Sequence, residues 1–302
     1  MVRSSGPGFD SRHLHKWCAV VTLRSREERP RWILFSVALR TPCAGVMSRR
    51  HPSHDRRIFL KGPGPIRLRV TPPTVIRAQY LRTDLIITRL LAEFLGTALL
   101  VASVVGAGHM VTDLGAGPAL GLLMIGLAVG FMLVIIIAIF QPISGAHFNP
   151  AVSLVMALRK ELSPKDTVLF AVSQSAGGVL GAVTANLMFG SPALVVSDVA
   201  RSGSGVWLGE AVATFGLVLA ILLLVDQGRT PWIPAAVGLW VAAGHIFTSS
   251  TSFANPAVSL GRMFTDAPTG VAPSSAVWFF LFQILGALLA WGVARVLAPR
   301  LS

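Results

Sequence analysis

The sequence predicts an all-α membrane protein with six transmembrane helices and two re-entrant half-helices arranged as an inverted repeat. Three observations carry that prediction. Of the 302 residues, 53% are hydrophobic and only 13% are charged, whereas soluble domains are about 45–50% apolar even with glycine counted. Six apolar segments are each long enough to cross a bilayer. One six-residue string occurs twice, as Asn149-Pro150-Ala151-Val152-Ser153-Leu154 and as Asn255-Pro256-Ala257-Val258-Ser259-Leu260.

Residues 1–84 read as a basic, disordered leader. The formal net charge is +13. Residues 1–89 hold 18 of the 26 Lys/Arg and 5 of the 13 Asp/Glu, and 18 − 5 = +13, so the rest of the chain is neutral on balance. The leader mixes Arg, Pro, Ser and Gly, and its two apolar runs, 18–23 and 32–39, are far shorter than the ~20 residues of a span. It fits a cytoplasmic tail, an Arg-rich and acid-poor targeting peptide, or a start assigned too far upstream; the abrupt change of composition favours the last. Its basic residues lack aromatic interleaving, which argues against nucleic acid as a partner. Cys18 and Cys43 both lie in the leader, outside any metal-spaced cluster. No cofactor and no metal site is expected.

The spans are expected at about 85–108, 119–140, 166–189, 207–225, 232–250 and 276–297. Each crosses the ~30 Å hydrocarbon layer at about 1.5 Å per residue. Glycines within them, such as Gly177, Gly178 and Gly181, allow close helix approach. Arg159, Lys160 and Lys165 lie between spans two and three, Arg229 between four and five, and Arg300 at the C-terminus. The other loops carry Asp113, and Asp198 with Arg201. The positive-inside rule then puts both termini in the cytoplasm of a multi-pass cell-membrane protein.

The membrane part reads as two copies, about 85–190 and 207–297. Glu93 and Thr97 of span one echo Glu210 and Thr214 of span four. Gln174 and Gly177 of span three echo Gln283 and Gly286 of span six. Three spans per copy make the second copy enter from the opposite side. Each Asn-Pro-Ala opens about ten residues of helical composition, ending near Lys160 and near Thr265. Proline suits the first helical position and asparagine the N-cap. Two such pieces, dipping in from opposite faces, bring two positive helix ends together at mid-membrane, each roughly half a charge. Non-helical backbone at that depth must be buried in protein or line a cavity.

Over residues 85–302 this pattern resembles the aquaporin, or major intrinsic protein, family. The residues that carry the resemblance are Ser144 to Val152, including His147 and the first Asn-Pro-Ala, the second Asn-Pro-Ala at 255–257, and Glu93 and Glu210. The family implies a homotetramer in the lipid bilayer with one pore per subunit, conducting water or small neutral solutes and catalysing no reaction. It also implies that Asn149 and Asn255 point N–H donors into the pore and help repel cations and protons. Glu93 and Glu210 then brace the re-entrant loops, His147 lines the cytoplasmic vestibule, and Gln174 and Gln283 stitch helices or loops together.

Most family members carry arginine directly after the second Asn-Pro-Ala; here that position is Val258. Gapless counting puts Val129, Ala243 and Ser252 at the other three filter positions, with His245 replacing Ala243 if two residues are gapped. Arg262 lies one turn beyond Val258, outside this ring, and lends at most some positive potential to the outer mouth. A ring of small residues without a fixed cation predicts a wide aperture for glycerol, urea, boric acid or arsenous acid. The stretch Phe247 to Ala254, rich in Ser and Thr, resembles a bacterial branch associated with arsenic resistance. Two other classes compete: a secondary transporter of inverted-repeat type, which would accumulate solute against a gradient, and a membrane enzyme, for which no catalytic constellation is apparent.

Overall fold

A computed structural model describes residues 75–297, with side chains from Leu85 onwards. Helices α1 (Val75–Asp113), α2 (Pro118–Ser144), α3 (Pro150–Leu158) and α4 (Pro164–Met188) form the first repeat. Helices α5 (Ser204–Asp226), α6 (Ile233–Phe247), α7 (Pro256–Gly261) and α8 (Pro273–Leu297) form the second. Helix α1 begins ten residues before the expected boundary at 85, so residues 75–84 are helical rather than disordered. The remainder of the expected leader, and Arg300, lie outside the described residues.

Five of these helices are long and apolar enough to cross a membrane unaided: α1, α2, α4, α5 and α8. The fifth expected span is shorter than its apolar segment. Helix α6 has 15 residues, about 22 Å, and a 3₁₀ turn over Thr230–Trp232 lengthens it at its start. It stops at Phe247, where Thr248 turns to extended backbone, because residues 248–254 are needed for the loop before the second Asn-Pro-Ala. The half-helices are also shorter than expected, at nine residues for α3 and six for α7. Beyond α7 the chain is drawn off its helical path. The Asn186 amide donates to the Phe264 carbonyl (2.9 Å) and accepts from the Thr265 hydroxyl (2.7 Å).

Packing follows the repeat. Helix α1 lies against α4, and α5 lies correspondingly against α8; α2 against α6 joins the halves. Each half-helix also touches the last helix of the other repeat, α7 against α4 and α3 against α8. Matching glycines set the closest approaches. A Cβ on Gly177 would stand 2.2 Å from the carbonyl oxygen of Phe94, and one on Gly286 would stand 2.3 Å from that of Ala211. Phe94 follows Glu93 and Ala211 follows Glu210, so the two glycines bring α4 and α8 onto the turns that carry the buried carboxylates. Large apolar side chains such as Phe131, Ile135 and Leu239 are exposed on the outside, as a lipid-facing surface requires. At one face, Arg159 after α3 bonds Asp226 at the end of α5 (2.7 Å) and Glu161 (2.8 Å).

The close approach at Gly177 gives a first prediction. Gly177→Ala drives a methyl group into backbone and should cost about 1–3 kcal/mol, read as a lower unfolding temperature in detergent. Gly292→Ala, also in a helix but facing open space, should be neutral or mildly stabilising.

Candidate functional site

The two Asn-Pro-Ala segments meet at the centre of the molecule. Asn149 and Asn255 both sit at helix N-caps in extended conformation, each followed by proline at the first helical position. The Asn149 side-chain oxygen accepts from the N–H of Ala151 (2.9 Å), and that of Asn255 accepts from Ala257 (2.9 Å) and Val258 (3.3 Å). Their amide nitrogens cross over. Asn149 Nδ2 donates to the Ala254 carbonyl (2.8 Å) and Asn255 Nδ2 to the Phe148 carbonyl (2.7 Å). One hydrogen of each amide therefore locks the two loops together, and the second is left over. Both asparagines are buried and line a common cavity.

The loops feeding these caps are held in unusual backbone. Ala146 and Phe148 before the first motif have φ near +50°, as do Ser252 and Ala254 before the second. For residues with a Cβ this left-handed region is unfavourable, and it persists only where surroundings over-determine it. Two buried glutamates supply that constraint. Glu93 accepts from the Ser144 hydroxyl (2.6 Å), the N–H groups of His147 (3.0 Å) and Phe148 (2.7 Å), and the Gln174 amide (2.7 Å). Glu210 accepts from the N–H groups of Phe253 (2.9 Å) and Ala254 (3.0 Å) and from the Gln283 amide (2.5 Å). Each glutamine also donates to the serine two residues past its motif's alanine, Gln174 to Ser153 (3.1 Å) and Gln283 to Ser259 (2.9 Å). His147 is half-buried, with Nδ1 3.0 Å from the Ser153 hydroxyl and its ring edge-on to Phe170.

A cavity of about 360 Å³ threads these features. Arg89, Gln141 and Glu161 flank one end, His147 follows, and Asn149 and Asn255 lie midway. At the other end it is lined by Val129, Ser252 and Val258 together with His245 and Arg262. Ala243 is not at this wall: it lies on the exposed face of α6. His245 is buried and lines this end of the cavity instead. The two are 200° apart around a helix at 100° per residue, so a two-residue gap exchanges inside for outside. The neighbouring glycines fix the arrangement. A Cβ on Gly126 would stand 3.3 Å from His245, and one on Gly244 would stand 2.6 Å from the Ser252 hydroxyl.

Arg262, which the sequence reading set outside the filter ring, also lines this end of the cavity. It caps α7 and is only 2% exposed. Its side chain runs back towards the N-terminus of its helix, the usual direction for long helical side chains. Its guanidinium carbon lies 3.3 Å from the centre of the Phe253 ring. That side-chain direction was the one available signal.

Two opposed helix starts, asparagine donors and a continuous cavity can pass small hydrogen-bonding molecules while their positive potential opposes cations. The major intrinsic protein family model matches residues 81–293. This chain belongs to that family. As a major intrinsic protein it is a membrane channel, not an enzyme. It is 46% identical over 209 residues to aquaglyceroporin AqpS of Rhizobium meliloti (strain 1021), covering 68% of this chain and 88% of that one. It is 30% identical over 221 residues to glycerol uptake facilitator protein-like 6 of Lactiplantibacillus plantarum, covering 70% and 98%. Its fold is similar to that of the X-ray structure of the aquaglyceroporin from Plasmodium falciparum. The TM-score is 0.60 at 21% identity, covering 71% of this chain and 98% of that one.

The glutamate brace of this major intrinsic protein is open to test. Glu93→Gln replaces one acceptor oxygen with an NH₂ group that must face N–H donors. The variant should unfold at a lower temperature and lose about tenfold or more of its water permeability in proteoliposomes at equal protein content. Unchanged flux would show that the loop holds its shape without the carboxylate.

Proposed function

We propose that this chain is a passive pore for water and neutral solutes of glycerol size, including glycerol, urea and metalloid acids such as arsenous acid. The observation that carries the reading is Val258, which stands in the cavity wall directly after the second Asn-Pro-Ala, with no bulky cation at that position. Around it, Val129 is apolar while His245 and Ser252 are polar. The Nε2 of His245 and the hydroxyl of Ser252 are buried without a hydrogen-bond partner among the described residues. A wall half apolar and half polar suits a polyol, whose C–H edge and hydroxyl edge differ in the same way. The names of the relatives, aquaglyceroporin and glycerol uptake facilitator protein-like, agree with such a substrate. The pore works as one unit of a homotetramer in the cell membrane, the assembly that the family resemblance implies; both termini are cytoplasmic, a reading supported by Arg159, Lys160 and Lys165 in one loop.

A secondary transporter would couple its solute to an ion through carboxylates free to bind it inside the membrane. Glu93 and Glu210 are instead occupied by loop N–H groups and glutamine amides, which favours the passive reading.

Stopped-flow light scattering on proteoliposomes should show glycerol and water permeation without accumulation against a gradient. Protein that carries water and excludes glycerol would rule out the wide filter. Val258→Arg should cut glycerol and arsenous acid permeability by about tenfold, equal to roughly 1.4 kcal/mol on the barrier, and water less. An unchanged glycerol-to-water ratio would remove Val258 from the filter. Deleting residues 1–74 should leave insertion and transport intact, since the repeat begins later; loss of insertion would make the leader part of the working protein.

A further inference from the structure

We infer that Arg262 is the fixed cation of this pore, delivered to the outer filter from one helical turn beyond the position that Val258 occupies. The inference rests on the channel reading above and concerns which residue sets charge selectivity.

Four features assign this role. Arg262 is buried to 2% exposure and lines the same end of the cavity as Val258, His245 and Ser252. Its guanidinium is pinned in place. Nε donates to the Thr269 carbonyl (2.5 Å), and the guanidinium carbon lies 3.3 Å from the centre of the Phe253 ring. Phe253 is itself anchored beside the second Asn-Pro-Ala, through its N–H to Glu210. The charge is thus carried back from the end of α7 to the level of the loop that shapes the filter.

The third feature is that, among the described residues, no carboxylate forms an ion pair with this charge: Glu210 acts on it only through space and is already taken by the N–H groups of Phe253 and Ala254 and by Gln283. Among the described residues Nε is the only one of the Arg262 nitrogens with an acceptor. A buried cation without an ion-pair partner is costly. The π face of Phe253 and one carbonyl offset part of that cost, and the remaining N–H donors look to whatever occupies the pore. The fourth feature is a neighbouring arginine already spent on structure. Arg201 is 5.3 Å from the same ring, but its guanidinium bonds the carbonyls of Gly270 and Pro268 (both 2.8 Å), and it is not part of the cavity wall. Carbonyls 268, 269 and 270 therefore hold two arginines, one bracing the loop and one facing the pore.

The outer filter is then a donor–acceptor pair. His245 Nδ1 donates to the Val241 carbonyl (2.8 Å), which leaves Nε2 as a lone-pair acceptor. A solute hydroxyl gives its hydrogen to His245 Nε2 or Ser252 Oγ and receives one from Arg262. Small cations meet a fixed positive charge in a site with little water to screen it. The aperture stays wide because the Arg262 guanidinium lies against the Phe253 ring and Val258 stands where the bulk of an arginine would otherwise be.

Urea and guanidinium test this directly, because they are planar, nearly equal in size and differ in charge. In proteoliposomes containing the full chain, the wild type should pass urea and exclude guanidinium. Arg262→Leu should raise the guanidinium-to-urea permeability ratio at least about tenfold. Adding Val258→Arg to Arg262→Leu should restore exclusion, and Arg201→Gln should leave the ratio near wild type. Should Arg262→Leu not fold, Val258→Glu decides: it leaves the packing of Arg262 untouched but sets a carboxylate beside it, and should raise the same ratio about tenfold. A folded Arg262→Leu or Val258→Glu channel that passes urea and still excludes guanidinium overturns the assignment. A wild type that passes neither urea nor glycerol overturns the channel reading instead, which keeps the two failures apart.

Discussion

Backbone N–H groups that leave regular helix deep in a membrane have no water to satisfy them, and each one left unpaired costs several kcal/mol. Here two carboxylates meet that demand. Glu93 takes the N–H groups of His147 and Phe148, and Glu210 takes those of Phe253 and Ala254. With the donors satisfied in this way, the loops hold the left-handed turns at Ala146, Phe148, Ser252 and Ala254. Those turns aim the following asparagines at each other, and the crossed bonds from Asn149 to Ala254 and from Asn255 to Phe148 close the centre.

The carboxylates work only because helix packing completes their shells. Gln174 reaches Glu93 and Gln283 reaches Glu210 because α4 and α8 lie almost on the backbone of α1 and α5, at Gly177 and Gly286. A glycine, a glutamine, a glutamate and a serine thus form one unit, and the unit occurs twice. Its duplication follows from the inverted repeat, and it explains why small residues and buried polar residues share the same helices.

The two halves part company beside the half-helices. In the first, the space beside the half-helix is filled by His147, bonded to Ser153 and packed on Phe170. In the second, the corresponding region holds Phe253 with the Arg262 guanidinium over its ring. Pseudo-symmetry governs the scaffold, and the departures from it lie in the side chains that line the cavity. The brace at Glu210 takes the N–H groups of Phe253 and Ala254 and the Gln283 amide, and Val258 has no part in it.

Much of this was legible in the chain itself. Apolar segment lengths determine the spans, because the bilayer thickness is a constant against which residues can be counted. The duplicated Asn-Pro-Ala determines the half-helices, because asparagine and proline have strict places at a helix start. The paired Glu, Gln and Gly positions mark the scaffold, because polar groups in apolar helices need partners. What only the tertiary structure decided lies in residues 243–265. Helix α6 ends early, so counting back from the motif turns Ala243 outwards and His245 inwards. Arg262 folds back onto Phe253, so a residue four places along the chain shares a cavity wall with Val258. Neither could be counted out, because periodicity holds only while the helix continues, and where a long flexible side chain lies is set by the surfaces that close around it.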